Sequence, residues 1–140
     1  LAQFLDLRTS QNASYANSIA IPILVVDTPQ LVGQIGLNLQ NAGSDIRIDL
    51  QGTIALQLPL SLVAITITVV RGTLPTDEVV FSASQSFSLD VLAPQIITFN
   101  GSDYNPPSDP QLTYTMFVSS SLLGTIRIGP ESFTGIAVSE

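Results

Sequence analysis

The sequence predicts an all-β sandwich or barrel. Three observations carry that prediction: many short runs alternate apolar and polar residues with a period of two, turn residues separate them at near-regular intervals, and apolar residues nowhere hold the three-and-four spacing of a convincing helix. A chain of 140 residues suits one domain with a single hydrophobic core. Eight to ten antiparallel strands are expected, with the strands from residue 18 to 140 forming the domain and residues 1–17 a weakly patterned N-terminal arm.

Taken in chain order, Leu1–Asn17 is the one stretch with any helical character, through Phe4, Leu5 and Leu7, and it lacks a sustained stripe. Ile19–Val26 reads as a first strand, placed at an edge or bulge by Pro22, which has no N–H to donate to a ladder. Leu31–Leu39 follows, closed by the turn Asn41-Ala42-Gly43-Ser44. Ile46–Leu58 is one long strand with Ile46, Ile48 and Leu50 facing opposite to Arg47, Asp49 and Gln51, and Pro59 ends it. Val63–Arg71, dominated by β-branched residues, is the strongest strand pattern in the chain. Val79–Leu89 holds one or two strands, with Ser84, Ser86 and Ser88 read as an outer face. Ile96–Phe99 is short, and Asn100–Pro110 is the longest loop, opened by the tight-turn pair Asn100-Gly101. Leu112–Val118, Thr125–Ile128 and Phe133–Val138 complete the set.

Composition narrows the function. Charged residues are 11% of the chain, less than half the usual share of about 25%, and lysine is absent. Soluble surfaces ordinarily rely on interspersed charges, so a surface of Ser, Thr, Gln and Asn implies that much of it is buried against other subunits. A net charge of −7 with four arginines offers no basic stripe for phosphates, so nucleic acid is not an expected partner. No apolar run approaches the roughly 20 residues of a membrane helix, so no membrane partner is expected either. Leu1 in place of a Met marks a processed form or an excised piece.

The absence of Cys and His removes disulfides, thiol nucleophiles, ordinary zinc sites and histidine acid–base chemistry, and no cofactor or metal is expected. Asp45 with Asp49, or Asp77 with Glu78, would be the carboxylate pairs for glycoside hydrolysis, but with no Trp and three Tyr the aromatic lining of a sugar cleft is missing. Asp103 and Asp109 read as turn-capping acids rather than Ca²⁺ ligands. No catalytic residue is therefore expected, and the protein is read as non-enzymatic. Asn12-Ala13-Ser14 and Asn100-Gly101-Ser102 match the glycosylation acceptor pattern.

The segment Ile128–Val138, with Ser132-Phe133-Thr134-Gly135 ahead of an aliphatic pair, resembles the closing strand of C1q/TNF-like jelly rolls. Ile65–Thr73, alternating and then running into Arg71 and a turn, resembles another strand of that family. The lysine-free, Cys-free, Ser/Thr/Gln-rich character is similar to the globular domains of bacterial spore-surface (exosporium) proteins that often follow collagen-like stalks, although this chain has no Gly-X-Y repeat. The resemblance implies an antiparallel C1q/TNF-like jelly-roll sandwich that assembles as a homotrimer in an extracellular, cell-surface or spore-surface layer, with other surface-layer proteins as further partners.

Five residues are the expected oligomer contacts. Arg47, Arg71 and Arg127 lie inside strand patterns among many acids, where a guanidinium fork suits pairing with Asp49, Asp90 or Glu131 across a subunit boundary; an ordinary surface role is the alternative. Phe133 is expected to plug the barrel end, and Gly135 to let a neighbouring chain or ligand approach the backbone. Two other functions fit the same residues: a host- or glycan-binding tip module of a fibre acting through Asn100–Pro110, and an extracellular filament subunit that donates residues 1–17 to a neighbour's sheet.

Overall fold

The computed structural model describes residues 1–88 and 93–140. Among the described residues there is no helix, and nine strands run in the order β1 (Gln3–Ala13), β2 (Ile21–Pro22), β3 (Gln30–Asn38), β4 (Arg47–Gln57), β5 (Val63–Arg71), β6 (Glu78–Phe87), β7 (Gln95–Asp103), β8 (Gln111–Ser120) and β9 (Ile126–Ser139). They form two antiparallel sheets, one ordered β1-β9-β4-β7 with β2 added beside β9, the other β3-β8-β5-β6. Apart from the short β2, consecutive strands alternate between sheets except for β5 and β6, and the closing strand β9 returns between β1 and β4. Two interlocked Greek keys of eight strands are the definition of a jelly roll.

The core lies between the sheets and follows from the alternation. Ile65, Ile67 and Val69 of β5 point inward against Ile48, Leu50 and Ile54 of β4, while Thr66 and Thr68 point out. Met116, Tyr114 and Phe133 fill the space between. Strands β3, β4, β5 and β8 fall where their period of two places them.

Four expectations change. Residues 1–17 hold β1, an 11-residue strand that pairs along β9 from Gln3 opposite Ser139 to Ala13 opposite Glu131. Most of β1 is exposed, so no apolar stripe marked it. Of Ile19–Val26 only Ile21–Pro22 is strand, because Ile23 turns to bond Thr125 and Asp27 to bond Ser120, which carries Leu24–Val26 across the end of the sandwich as a loop. Asn100-Gly101 is no turn: both residues lie inside β7, opposite Gln51 and Leu50, and Gly101 leaves room for the Phe81 ring. Finally, Thr125–Ile128 and Phe133–Val138 belong to the single 14-residue β9. The expected strand end Leu89 and the candidate partner Asp90 lie outside the described residues.

Candidate interaction surfaces

Of the five expected contact residues, four are engaged inside their own chain. Arg127 Nε and Nη2 donate to Glu131 Oε2 and Oε1 at 2.6 Å each, and Nη1 donates to Gln30 at 3.1 Å. A bulge makes this possible: Glu131 and Arg127 face Ile54 and Leu56 of β4, so residues four apart on β9 occupy neighbouring positions on the inward face. Asn12 of β1 adds a bond to Glu131 at 3.0 Å and another to the Val32 carbonyl, which occupies its amide and counts against a glycan there.

Arg71 grips Asp103 with two parallel bonds of 2.8 Å and reaches Glu78 at 2.8 Å, while the Tyr114 hydroxyl donates to Asp103 at 2.6 Å. Burial alone would raise the Asp103 pKa, but the hydrogen bonds from Arg71 and Tyr114 and the guanidinium charge outweigh it and hold the carboxyl below its usual value. Burial, then the bond to Asp103, pushes the Tyr114 phenol up, and the bond to Asp103 raises Arg71. Asp103 is thus spent on an internal latch joining β5, β7 and β8, while Asp109 lies exposed in the β7–β8 loop.

Phe133 is fully buried, its ring 6.4 Å from that of Phe99. Gly135 faces inward too: a Cβ there would lie 2.4 Å from Ile35 Cδ1, so the close neighbour is the opposite sheet of the same chain. Arg47 is exposed, on the outer face of the first sheet beside Val138. The carboxylate pairs are equally local: Asp77 accepts from the Thr73 and Leu74 amides at 2.9 Å and shapes the β5–β6 turn, Glu78 meets Arg71, and Asp49 lies near Gln51 and Ser102.

What sequence reasoning missed is the segregation of the loops. At one end the β2–β3, β4–β5 and β8–β9 loops converge, tied by Asp27 to Ser120 and Ser121 to Ala64, and they expose Leu24, Leu60 and Leu62 by 73%, 69% and 65% with Val25, Val26, Leu122 and Leu123 beside them. Asp27 is the one charged residue among the described residues of these loops. The opposite end carries Asp45, Asp77, Asp109 and Glu140, and an open groove of about 490 Å³ lined by Gln40, Asn41, Ser108 and Asp109 among others. The outer face of the first sheet continues the pattern. Rows such as Thr9, Thr134, Gln51, Asn100 and Gln11, Ser132, Thr53, Thr98 are uncharged, and near the acidic end Phe4, Leu7, Ile136 and Val138 form an apolar corner.

No family model matches the chain, and no curated protein matches it. Among solved structures, the VP2 subviral particle of infectious bursal disease virus is similar over 96% of this chain and 33% of its own, with a TM-score of 0.55 at 9% identity. Dimeric latent PorU from Porphyromonas gingivalis is similar over 96% of this chain and 13% of its own, with a TM-score of 0.53 at 12% identity. Eiger TNF from S. frugiperda reaches a TM-score of 0.41 over 78% of this chain at 11% identity, below the level on which a shared fold is argued. The chain thus spans about a third of the viral chain's length, and at these identities the likeness shows the fold alone: an antiparallel jelly-roll sandwich.

Proposed function

We propose that the protein is a non-enzymatic structural or assembly protein, a jelly-roll protomer that closes into a homotrimer in a bacterial spore-surface or exosporium layer. The observation that carries the reading is the apolar end formed by Leu24–Val26, Leu60, Leu62, Leu122 and Leu123, on a molecule whose outer sheet faces are nearly free of charge. A contiguous apolar patch of this kind on a soluble domain marks a contact surface. Burying it against other copies stabilises the assembly by about 25 cal/mol per Å² of apolar surface removed from water. The number three and the spore-surface setting rest on the resemblance of Ser132–Gly135 and of the lysine-free composition.

Light scattering coupled to gel filtration, over a range of concentrations, tests the assembly. A particle of three times 14.8 kDa supports the reading, and a monomer that dilution does not change overturns it. Antibody labelling of intact spores of the source bacterium tests the setting: a signal confined to the cytoplasm counts against it.

A second reading, a ligand-binding tip module, is favoured by the polar groove at the acidic end. Its loop is shorter than the sequence suggested, Tyr104–Pro110, since Asn100–Asp103 belong to β7. Replacing Ser108 and Asp109 by Ala would abolish surface adhesion in that case and leave assembly unchanged.

A further inference from the structure

The two long sides of the sandwich differ. On the β1/β3 side the sheets are laced together: Asn12 bonds Val32 across the gap, and Asp6 accepts from the Asn38 amide at 2.8 Å. On the β6/β7 side Phe81 of β6 stacks on Phe99 of β7 with ring centroids 5.1 Å apart, and beyond that contact the sheets part. Ala83 and Gln85 occupy inward-facing positions of β6 yet are exposed, and a cleft of about 140 Å³ lined by Ile65, Ile67, Ala83, Ile97 and Phe99 leads into the core. Among the described residues, β6 pairs only with β5 and β7 only with β4, so each leaves one row of backbone groups without a strand partner.

Free edges are normally blunted by charges, prolines or bulges. The β1 edge carries Asp6 and Arg8, but residues 79–88 contain no charge and no Pro, and residues 94–102 facing them across the cleft contain no charge. The one bulge against β5 lies before Phe81, so Phe81 to Phe87 run in regular register. On a chain of net charge −7 this is a side where two copies would meet without like-charge repulsion.

The sequence of that regular stretch, Phe81-Ser82-Ala83-Ser84-Gln85-Ser86-Phe87, is nearly palindromic about Ser84. An antiparallel pair of identical strands related by a two-fold axis through Ser84 sets Phe81 opposite Phe87, Ser82 opposite Ser86, Ala83 opposite Gln85, and Ser84 opposite itself. The phenylalanines fall on the core side and the serines on the outer side, as the register with β5 already places them. A two-fold contact has to be self-complementary in this way.

We infer that the free edge of β6 is a self-recognition strand that pairs antiparallel with β6 of a second copy, extending the β3-β8-β5-β6 sheet across a two-fold axis at Ser84 and covering the cleft. This contact is separate from the apolar end, so it joins assembled particles to one another and builds a layer out of closed oligomers.

The chain has no cysteine, so single-cysteine variants report the pairing. Facing residues of an antiparallel pair have Cα atoms about 4.5–5.5 Å apart, within the disulfide range of about 4.4–6.8 Å. Ser84→Cys is expected to give a disulfide-linked dimer on mild oxidation. Ser86→Cys, equally exposed on the same face, is expected to stay a free thiol alone and to cross-link when mixed with Ser82→Cys. Equal cross-linking of Ser84→Cys and Ser86→Cys, or none by Ser84→Cys, overturns the pairing. Ala83→Lys adds a charge at the edge, and is expected to lower the native mass from the joined state to that of the closed oligomer with an unchanged circular dichroism spectrum; an unchanged mass overturns the proposal. The two readings fail separately: an Ala83→Lys variant that drops to a trimer retains the proposed function, whereas a Ser84→Cys variant that cross-links while the native protein never exceeds a dimer removes the trimer and keeps the edge.

Discussion

Buried charge is handled by pairing in this chain, and each pair makes a prediction. Arg127 and Glu131 are almost wholly buried, with their remaining bonding capacity taken up by Gln30 and Asn12. Removing one member leaves the other charged and unsatisfied, a loss of about 3–5 kcal/mol, whereas replacing both by apolar residues of similar volume is often neutral. Arg127→Met should therefore lower the chemical-denaturation midpoint sharply, and adding Glu131→Leu should recover most of the loss. The Arg71–Asp103–Tyr114 latch sets the pH limits. The folded Asp103 pKa is depressed, so its contribution is complete above the unfolded value of about 3.9 and is lost as pH falls through the folded value below it. The folded Tyr114 pKa is raised, so its contribution is complete below about 10 and is lost as pH rises beyond. With no His to titrate between, the thermal midpoint should hold a plateau across neutral pH and fall at both ends, and Asp103→Asn should remove most of the acid-side slope.

At the scale of the element, β1 behaves as a structural strand of its own sheet. It covers the outer edge of β9 and supplies Asn12 to the buried ion pair, so deleting residues 1–13 exposes that edge and removes one hydrogen bond from Glu131. The truncated chain is expected to lose its near-ultraviolet circular dichroism and to collect in the insoluble fraction, and a peptide of residues 1–13 should restore soluble protein. A filament built by donation of residues 1–17 would require exchange of this strand between copies. In β9, Phe133 fills the centre of the sandwich from beneath Gly33 and beside Phe99. Phe133→Ala should cost about 3–5 kcal/mol, read as a lower denaturant midpoint with an unchanged slope.

For the whole molecule, polarity is arranged end to end. The loops that converge at the apolar end carry leucines, and those at the other end carry acids, so contacts through the apolar end keep the negative charges of neighbouring copies apart. Replacing Leu24, Leu60 and Leu122 by Ser should reduce native mass toward the monomer. Each is exposed, so monomer stability should shift by only about 0.5 kcal/mol per site. A full-sized particle in that triple variant would move the oligomer contact elsewhere on the surface.

The all-β class and strands β3, β4, β5 and β8 were legible in the sequence because each has one face in the core and one in water, and burial on alternate positions writes a period of two into the residues. β1 left no such trace, since both its faces are largely exposed, and the Gly129-Pro130 interruption hid the continuity of β9. The absent lysines and scarce charges were also legible in the chain alone, and the proposal that copies cover one another rests on them. Where the arginines and leucines lie in space was decided by tertiary structure. Arg71 and Asp103 are 32 positions apart, and they meet because the sheet that holds β5 packs on the sheet that holds β7, which gives the arginine a partner inside its own chain. The same folding gathers leucines from three separate loops into one apolar end and leaves the β6 edge open, because contact is made by neighbours in space and a sequence pattern records only neighbours along the chain.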